Sequence, residues 1–264
     1  MKLIITADLH FGSREAGNAS VREIASEIAQ SDADALVLAG DNAAVDPGLF
    51  QECFSCFAGF NGRKFTLCGN HDLWTRDGDS LQIYQEGFPE MAQAGDFEYL
   101  EGQPTTFGNV GLVGTAGWYD YSFRDESIDI DDRYYEQKSH PKLAKWNDGA
   151  FVKLGMSDPE FNELVLNRLE QSIESIYDQV EVVVAVTHLI AFDCMLIQKP
   201  ERAWRFCNAF MGSRSLGNLL LKYPKIRYHF CGHTHVPGRH RVGQLETINI
   251  GSTYLEKRYE VLEL

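Results

Sequence analysis

The chain reads as an α/β protein. Short, apolar, β-branched runs recur along its first half, alternating with amphipathic stretches that begin at helix-capping signals, and each run stops at a glycine or a polar side chain. Such alternation argues for parallel pairing, because parallel neighbours need a crossover and a helix is its usual form. Towards the C-terminus, strand patterns follow one another without helices between them. That closing run argues for a mixed sheet, or for a second sheet packed on the first.

Lys2 to Asp8 is the first strand and not a signal peptide, since Asp8 and His10 interrupt the apolar run and no small-residue cleavage site follows. A capping box of Ser20 and Glu23 precedes the apolar positions Ile24, Ala25 and Ile28. Ala35 to Asp41 is the second strand. Asp46 and Pro47 then supply the cap and first position of a helix carrying Phe50, Cys53, Phe54 and Phe57. Lys64 to Asn70 and Val110 to Trp118 continue the strands. Asp158 and Pro159 open the longest amphipathic helix, with Phe161, Leu164, Val165, Leu169, Ile173 and Ile176 on its apolar side. Glu181 to His188, Arg227 to His233, Leu245 to Ile250 and Arg258 to Leu264 complete the strand patterns.

Residues 118–151 break the pattern. They are rich in tyrosine and acid, including Tyr121, Asp125, Asp129, Asp131, Tyr134 and Tyr135, and they show no periodicity. The segment reads as a flap inserted in a single domain spanning residues 1–264, either a solvated excursion or a lid over a cleft.

With 264 residues, 44% of them hydrophobic and 23% charged, the chain can bury a substantial core. A net charge of −14 disfavours a long nucleic acid or an anionic membrane as partner, since both require a cationic surface. No run approaches the ~20 apolar residues that cross a bilayer, so a cytoplasmic location is expected. A small anionic substrate stays compatible, because bound cations can invert the field inside one cleft. The six cysteines are expected to be free thiols in a reducing compartment. Cys53 and Cys56 have zinc-like spacing but lie in a helical pattern without a second such pair, so they read as core thiols.

The chemistry is concentrated in five groups at strand ends: Asp8 with His10, Asp41, Asn70 with His71, His188, and His233 with His235. In layered α/β folds ligands collect beyond the carboxyl ends of the strands, so these groups can share one edge. Asp8 and His10, one residue apart, can leave the same face at a strand end, and His233 and His235 repeat that spacing. The donors are oxygen and nitrogen without thiolate, which points to Mn, Fe or Zn in a reactive centre. Two divalent or trivalent ions held close together would lower the pKa of a bridging water to give a hydroxide nucleophile, and would clamp a phosphate. Asp41 is the natural carboxylate to bridge them. His71, next to a ligand, is placed to assist the departing oxygen, with Asp72 holding its ring in one tautomer.

Asp8-Leu9-His10, Gly40-Asp41, Gly69-Asn70-His71-Asp72, His188 and Gly232-His233-Thr234-His235 together resemble, in order and spacing, the calcineurin-like metallophosphoesterase superfamily. The resemblance implies a four-layer α/β/β/α sandwich of two mixed sheets flanked by helices. It also implies one ion on Asp8, His10, Asp41 and His235, a second on Asp41, Asn70, His188 and His233, and His71 as leaving-group acid or transition-state stabiliser. Asn42-Ala43-Ala44 follows Gly40-Asp41 where the Ser/Thr protein phosphatase branch has Asp-Arg-Gly, and the fourth block ends in Asp72 where that branch has Glu. The fourth block is shared with the phosphodiesterase and nuclease branches, which favours phosphodiesters of small molecules or nucleotides over phosphomonoesters. A non-catalytic scaffold with the same fold is the reading from another class. Trp118 and Tyr119 are candidates to stack on a base, and Arg14 and Arg205 to steady a substrate phosphate.

Overall fold

The computed structural model describes residues 1–44 and 46–264. Its strands are β1 (Lys2–Thr6), β2 (Ala35–Ala39), β3 (Arg63–Leu67), β4 (Glu98–Tyr99), β5 (Thr105–Phe107), β6 (Val110–Thr115), β7 (Val182–Thr187), β8 (Ile226–Cys231), β9 (Gly238–Val242), β10 (Leu245–Asn249) and β11 (Tyr259–Glu263). They form two sheets, ordered β11-β1-β2-β3-β4 and β5-β6-β7-β8-β10-β9. Each sheet is parallel at its centre, with antiparallel β11 edging one and antiparallel β5 and β9 edging the other. Both sheets are therefore mixed, as expected.

Side-chain alternation makes the layers. In β1, Leu3 and Ile5 face the second sheet while Ile4 faces helices; in β7, Val184 and Val186 face the first sheet while Val183 and Ala185 face helices. Strands buried on both faces read as continuous apolar runs, which is what made them visible in the sequence. Helices α1 (Glu15–Ala29) and α2 (Pro47–Cys56) cover the first sheet, through Val21, Ile24 and Ile28 and through Phe50 and Phe54. Helices α3 (Asp158–Tyr177) and α4 (Arg214–Lys222) cover the second, through Leu169 and Ile173 and through Leu216 and Leu220. The result is the four-layer α/β/β/α sandwich. No helix among the described residues is long and apolar enough to cross a membrane.

Two helix starts differ from expectation. α1 begins earlier, with Arg14 at its cap position and no side-chain cap, and Ser20 lies inside it, its hydroxyl accepting from the Lys257 amide. α3 takes its capping box from Ser157 and Glu160, one residue ahead of Asp158. Residues 118–151 contain two short helices, Asp132–Glu136 and Asp148–Phe151. Their aromatic side chains turn inward, and Trp118, Tyr119 and Tyr135 are buried in the same cluster as Phe206 and Phe210.

Glu101, just past β4, ties the two sheets together. Its buried carboxylate accepts from Tyr84 Oη at 2.6 Å, Thr115 Oγ1 at 2.5 Å and the Ala116 amide at 2.8 Å, and its backbone bridges to Gly114 on β6. Glu101→Ala strands three buried donors, so we expect roughly 3 kcal/mol less stability in urea denaturation, with Glu101→Gln between it and the wild type.

Candidate metal centre

All five groups stand just beyond the carboxyl ends of β1, β2, β3, β7 and β8. Backbone bonds from Asp8 N to Gly40 O, His10 N to Asp41 O and Phe11 N to Asn42 O lace the first two turns together after their strands part. Across the gap between sheets, the His233 amide donates to both carboxylate oxygens of Asp8, at 3.0 and 3.1 Å. Asp8 is thus the clasp between the two halves of the site. Lys257, buried behind it, donates its ammonium to the Asp8 carbonyl at 2.9 Å.

The turns are strained where the chemistry sits. Among the described residues eight that are not glycine have positive φ, and five of them are Asp8, His10, Asp41, His233 and His235. Left-handed backbone at aspartate or histidine is sparsely populated, so its concentration here marks a site held in place by its surroundings. Two glycines make room. Gly40 has φ +85°, and a Cβ on Gly69 would lie 2.1 Å from Asp41 Oδ1. A side chain at residue 69 would occupy the space of the expected bridging carboxylate.

Asp41 lies at the centre of the cluster. Its Oδ2 is 3.3 Å from His188 Nε2, 3.5 Å from His10 Nε2 and 3.9 Å from His71 Nε2, and its Oδ1 accepts from the His71 amide. On one side Asp8, His10 and His235 bring one donor atom each within 4.8 Å of one another; on the other Asp41, His188 and His233 do the same. His10 Nε2 lies 3.2 Å from His235 Nε2. His188 Nδ1 is turned to the Ala39 carbonyl and His233 Nε2 to the Phe210 carbonyl, which leaves one nitrogen of each ring facing the cluster. Such outward bonds set ring orientation around a metal.

The donor set fits a pair of cations. Asn70 Oδ1 and His188 Nε2 are two of only three buried side-chain polar atoms without a hydrogen-bond partner among the described residues. A buried polar atom without a hydrogen-bond partner costs about 1–3 kcal/mol, and a cation would satisfy Asn70 Oδ1 directly and His188 Nε2 once that nitrogen has given up its proton. Electrostatics agree. Burial works against charge on Asp41, but the imidazoles of His188, His71 and His10 outweigh it and hold the carboxyl well below its usual range. Burial pushes His233 down to about 3 and His10 well below its ordinary value, so both are neutral donors. Burial also opposes charge on His188, yet the adjacent Asp41 carboxylate prevails and lifts it to about 9.

The model of the calcineurin-like phosphoesterase family matches residues 1–237. The chain belongs to that family. This calcineurin-like phosphoesterase is accordingly a hydrolase of phosphoric ester bonds. It superposes on the phosphopantetheinyl hydrolase of Mycobacterium tuberculosis with a TM-score of 0.71 at 17% identity, covering 98% of this chain and 95% of that one. It superposes on a dimetal phosphatase from Danio rerio with a TM-score of 0.59 at 16% identity, covering 97% and 88%. A Thermus thermophilus protein, TT1561, gives 0.57 at 10% identity, covering 99% and 98%. At these identities the likeness is one of fold. A search of curated proteins finds no match.

Several expected roles around the phosphoesterase centre need correction. Asp72 does not hold the His71 ring; its buried carboxylate accepts from the Asn42 amide, Asn42 Nδ2 and the Gly69 amide, fastening the turns after β2 and β3. Burial and the nearby Asp41 push it up to about 7. The His71 ring is held instead by stacking on Trp74, 3.7 Å between centroids. Trp118 and Tyr119 cannot stack on a substrate, because both are fully buried and donate to Asp158 and Asp148. Arg205 pairs with Asp125 at 2.5 Å, which commits it to the 118–151 segment. Arg14 remains exposed at the start of α1, beside Ser13.

Sequence reasoning missed Asp148. Its fully buried carboxylate accepts from Asn70 Nδ2 at 2.9 Å, Trp74 Nε1 at 2.6 Å, Tyr119 Oη at 3.1 Å and Trp146 Nε1 at 2.8 Å. By taking the Asn70 amide nitrogen it fixes the orientation of that amide and leaves Oδ1 without a hydrogen-bond partner. No spacing in an irregular segment announces such a residue. Tyr254, stacked on His10 at 4.4 Å, was missed for the same reason.

Two outcomes follow from this geometry. Asp148→Ala frees the Asn70 amide to rotate, and metal affinity measured by titration should fall about 10- to 100-fold. His188 must lose its proton to become a donor, so metal binding should release protons, and apparent affinity should rise about tenfold per unit between about pH 7 and about pH 9. Calorimetry in buffers of unequal ionisation enthalpy reads both effects; an affinity independent of pH would contradict the assigned state of His188.

Proposed function

We propose that the enzyme hydrolyses phosphate esters of small molecules at a two-cation centre, with phosphodiesters of nucleotide or similar size as its preferred substrates. Asp8, His10, Asp41 and His235 would hold one ion; Asp41, Asn70, His188 and His233 would hold the other. The observation that carries this reading is the pair of buried atoms without hydrogen-bond partners, Asn70 Oδ1 and His188 Nε2, the latter 3.3 Å from Asp41 Oδ2. When bound, the cations supply an activated water and neutralise charge on the phosphoryl oxygens.

The chain's own residues do the rest. Asp41 and Asp8 bring two carboxylates that offset the cationic charge, and the outward bonds of His188 and His233 hold their rings in single tautomers. The His71 ring lies between Trp74, on which it stacks, and His10, which meets it edge-on at 4.7 Å. Its side chain is 22% exposed while that of His10 is 1% exposed; His235, at 21%, is taken up as a ligand of the first ion, which leaves His71 as the imidazole free to reach a substrate oxygen. There it would donate a proton or hydrogen bond to the departing alkoxide, a contribution of about 10²–10⁴-fold. The phosphopantetheinyl hydrolase and the dimetal phosphatase share the fold and are consistent with this chemistry.

The test is a screen of bis(p-nitrophenyl) phosphate, p-nitrophenyl phosphate and cyclic nucleotides with Mn²⁺, Zn²⁺ or Fe²⁺, with and without EDTA. Turnover should require metal, favour diesters, and fall at least about 100-fold in His71→Ala with metal content unchanged. A scaffold would show no turnover to lose, and preference for monoesters would overturn the diester assignment.

A further inference from the structure

A cavity of 540 Å³ opens beside the cluster, and both Asn70 and His71 lie in its wall. That volume is in the range of sites for small organic ligands. The rest of its wall is unusually aromatic, with Trp74, Trp146, Trp204 and Tyr254 contributed by four separate segments. Trp74 is already sandwiched, with His71 against it at 3.7 Å and Phe151 at 5.0 Å. Trp146 and Trp204 are not. Trp146 stacks on Phe210 at 5.6 Å and 19° and meets the His233 ring only edge-on, at 5.8 Å and 69°, and Trp204 carries the Lys199 ammonium 4.1 Å from its centroid, so each ring has one face covered by a stacked group. Both are half-buried and both border the cavity.

We propose that this cavity is the leaving-group subsite and that it takes a planar aromatic ring, stacked on the remaining faces of Trp146 and Trp204. The proposal rests on the phosphoesterase reading above, since only a phosphate held at the cluster puts the leaving group past His71. Three features favour a flat, weakly polar ring over a sugar or an acyl chain. The two free faces are π surfaces, which bind flat groups with little regard to identity. Asp148, the one carboxylate in the wall among the described residues, is engaged by four donors, so it offers little acceptor capacity for a polyol. Cys207 adds a thiol that burial keeps neutral, with a pKa of about 11.

The charge at the mouth is also suitable. Lys145 lies exposed on the rim, where it can meet a second anionic group. A larger cavity, 860 Å³, is rimmed by Asp120, Glu126, Asp132 and Glu136 and includes none of the expected ligands. Arg124 and Lys138 in its wall are already paired with Glu126, Asp132 and Asp158, so no free cation there faces a phosphate among the described residues. The aromatic cavity is also tied to the cluster, because the Asp148 carboxylate holds Trp146 Nε1 and Asn70 Nδ2 at once. Its wall cannot move without moving an expected ligand.

Three phosphates serve as probes on the Mn²⁺-loaded protein: adenosine 5′-monophosphate, phenyl phosphate and butyl phosphate. Inhibition constants against a diester substrate are paired with tryptophan fluorescence, which stacking should quench. We expect the two ring compounds to bind at least about tenfold tighter than butyl phosphate and to quench emission, the alkyl compound leaving it unaltered. In Trp204→Leu, which removes no hydrogen bond, the ratio of ring to alkyl affinity should fall about tenfold; Trp146→Leu should do the same. A larger gain for the nucleotide assigns a nucleobase, and equal gains assign a simple aryl group. Equal binding of ring and alkyl phosphates with unquenched emission, or ratios unmoved in both variants, would overturn the subsite while leaving metal-dependent turnover intact. Absence of that turnover would strike the phosphoesterase reading itself.

Discussion

The whole arrangement depends on holding the Asp41 carboxylate, fully buried, among three imidazoles. Burying an anion costs several kcal/mol unless opposite charge or donors surround it; here the His188 imidazole, lifted towards its charged form, and the His71 amide face it, with the His10 and His71 rings within 3.9 Å. Those rings come from turns after β1, β3 and β7, so the carboxylate is stable only where both sheets meet at one edge. The clasp from His233 N to Asp8 supplies that meeting. Strained turns at five donor residues are the cost, and close packing around Gly40 and Gly69 keeps them from relaxing.

The donors were legible because strand ends impose a simple rule. An apolar run announces a buried strand, its end marks the edge where ligands gather, and Asp8-x-His10 and His233-x-His235 put paired donors on one side of a turn. The fold was legible through the same runs. Short edge strands were not: β4 has two residues, β5 has three, and β9 reads Gly-Arg-His-Arg-Val, whose exposed positions carry charge rather than an apolar repeat. α1 escaped its true start because Arg14 caps nothing with its side chain, while Ser20 and Glu23 mimic a cap inside the helix.

The misreading around 118–151 has a physical cause. Trp118 and Tyr119 looked like exposed aromatics because the segment has no periodicity, yet their polar tips are satisfied internally by Asp158 and Asp148. An acid-rich composition suggested solvated carboxylates. Several of them are hydrogen-bond acceptors instead: Asp125 holds Arg205, and Asp148 holds Trp74, Trp146, Tyr119 and Asn70. Composition reports charge and not its neutralisation, so the acids of this region could not be told from solvated ones in the sequence.

Asp148 changes what the irregular segment is for. A loop that merely covered a cleft would need to move, and its contacts with the site would be weak or apolar. This one reaches the centre through a buried carboxylate with four donors, two of them indoles. Breaking that node would expose an anion's worth of lost hydrogen bonds in a low-dielectric interior, a larger barrier than lids usually carry. The segment is better understood as a fixed wall and brace. Substrate choice then has to come from the shape already present between Trp146 and Trp204, and not from closure.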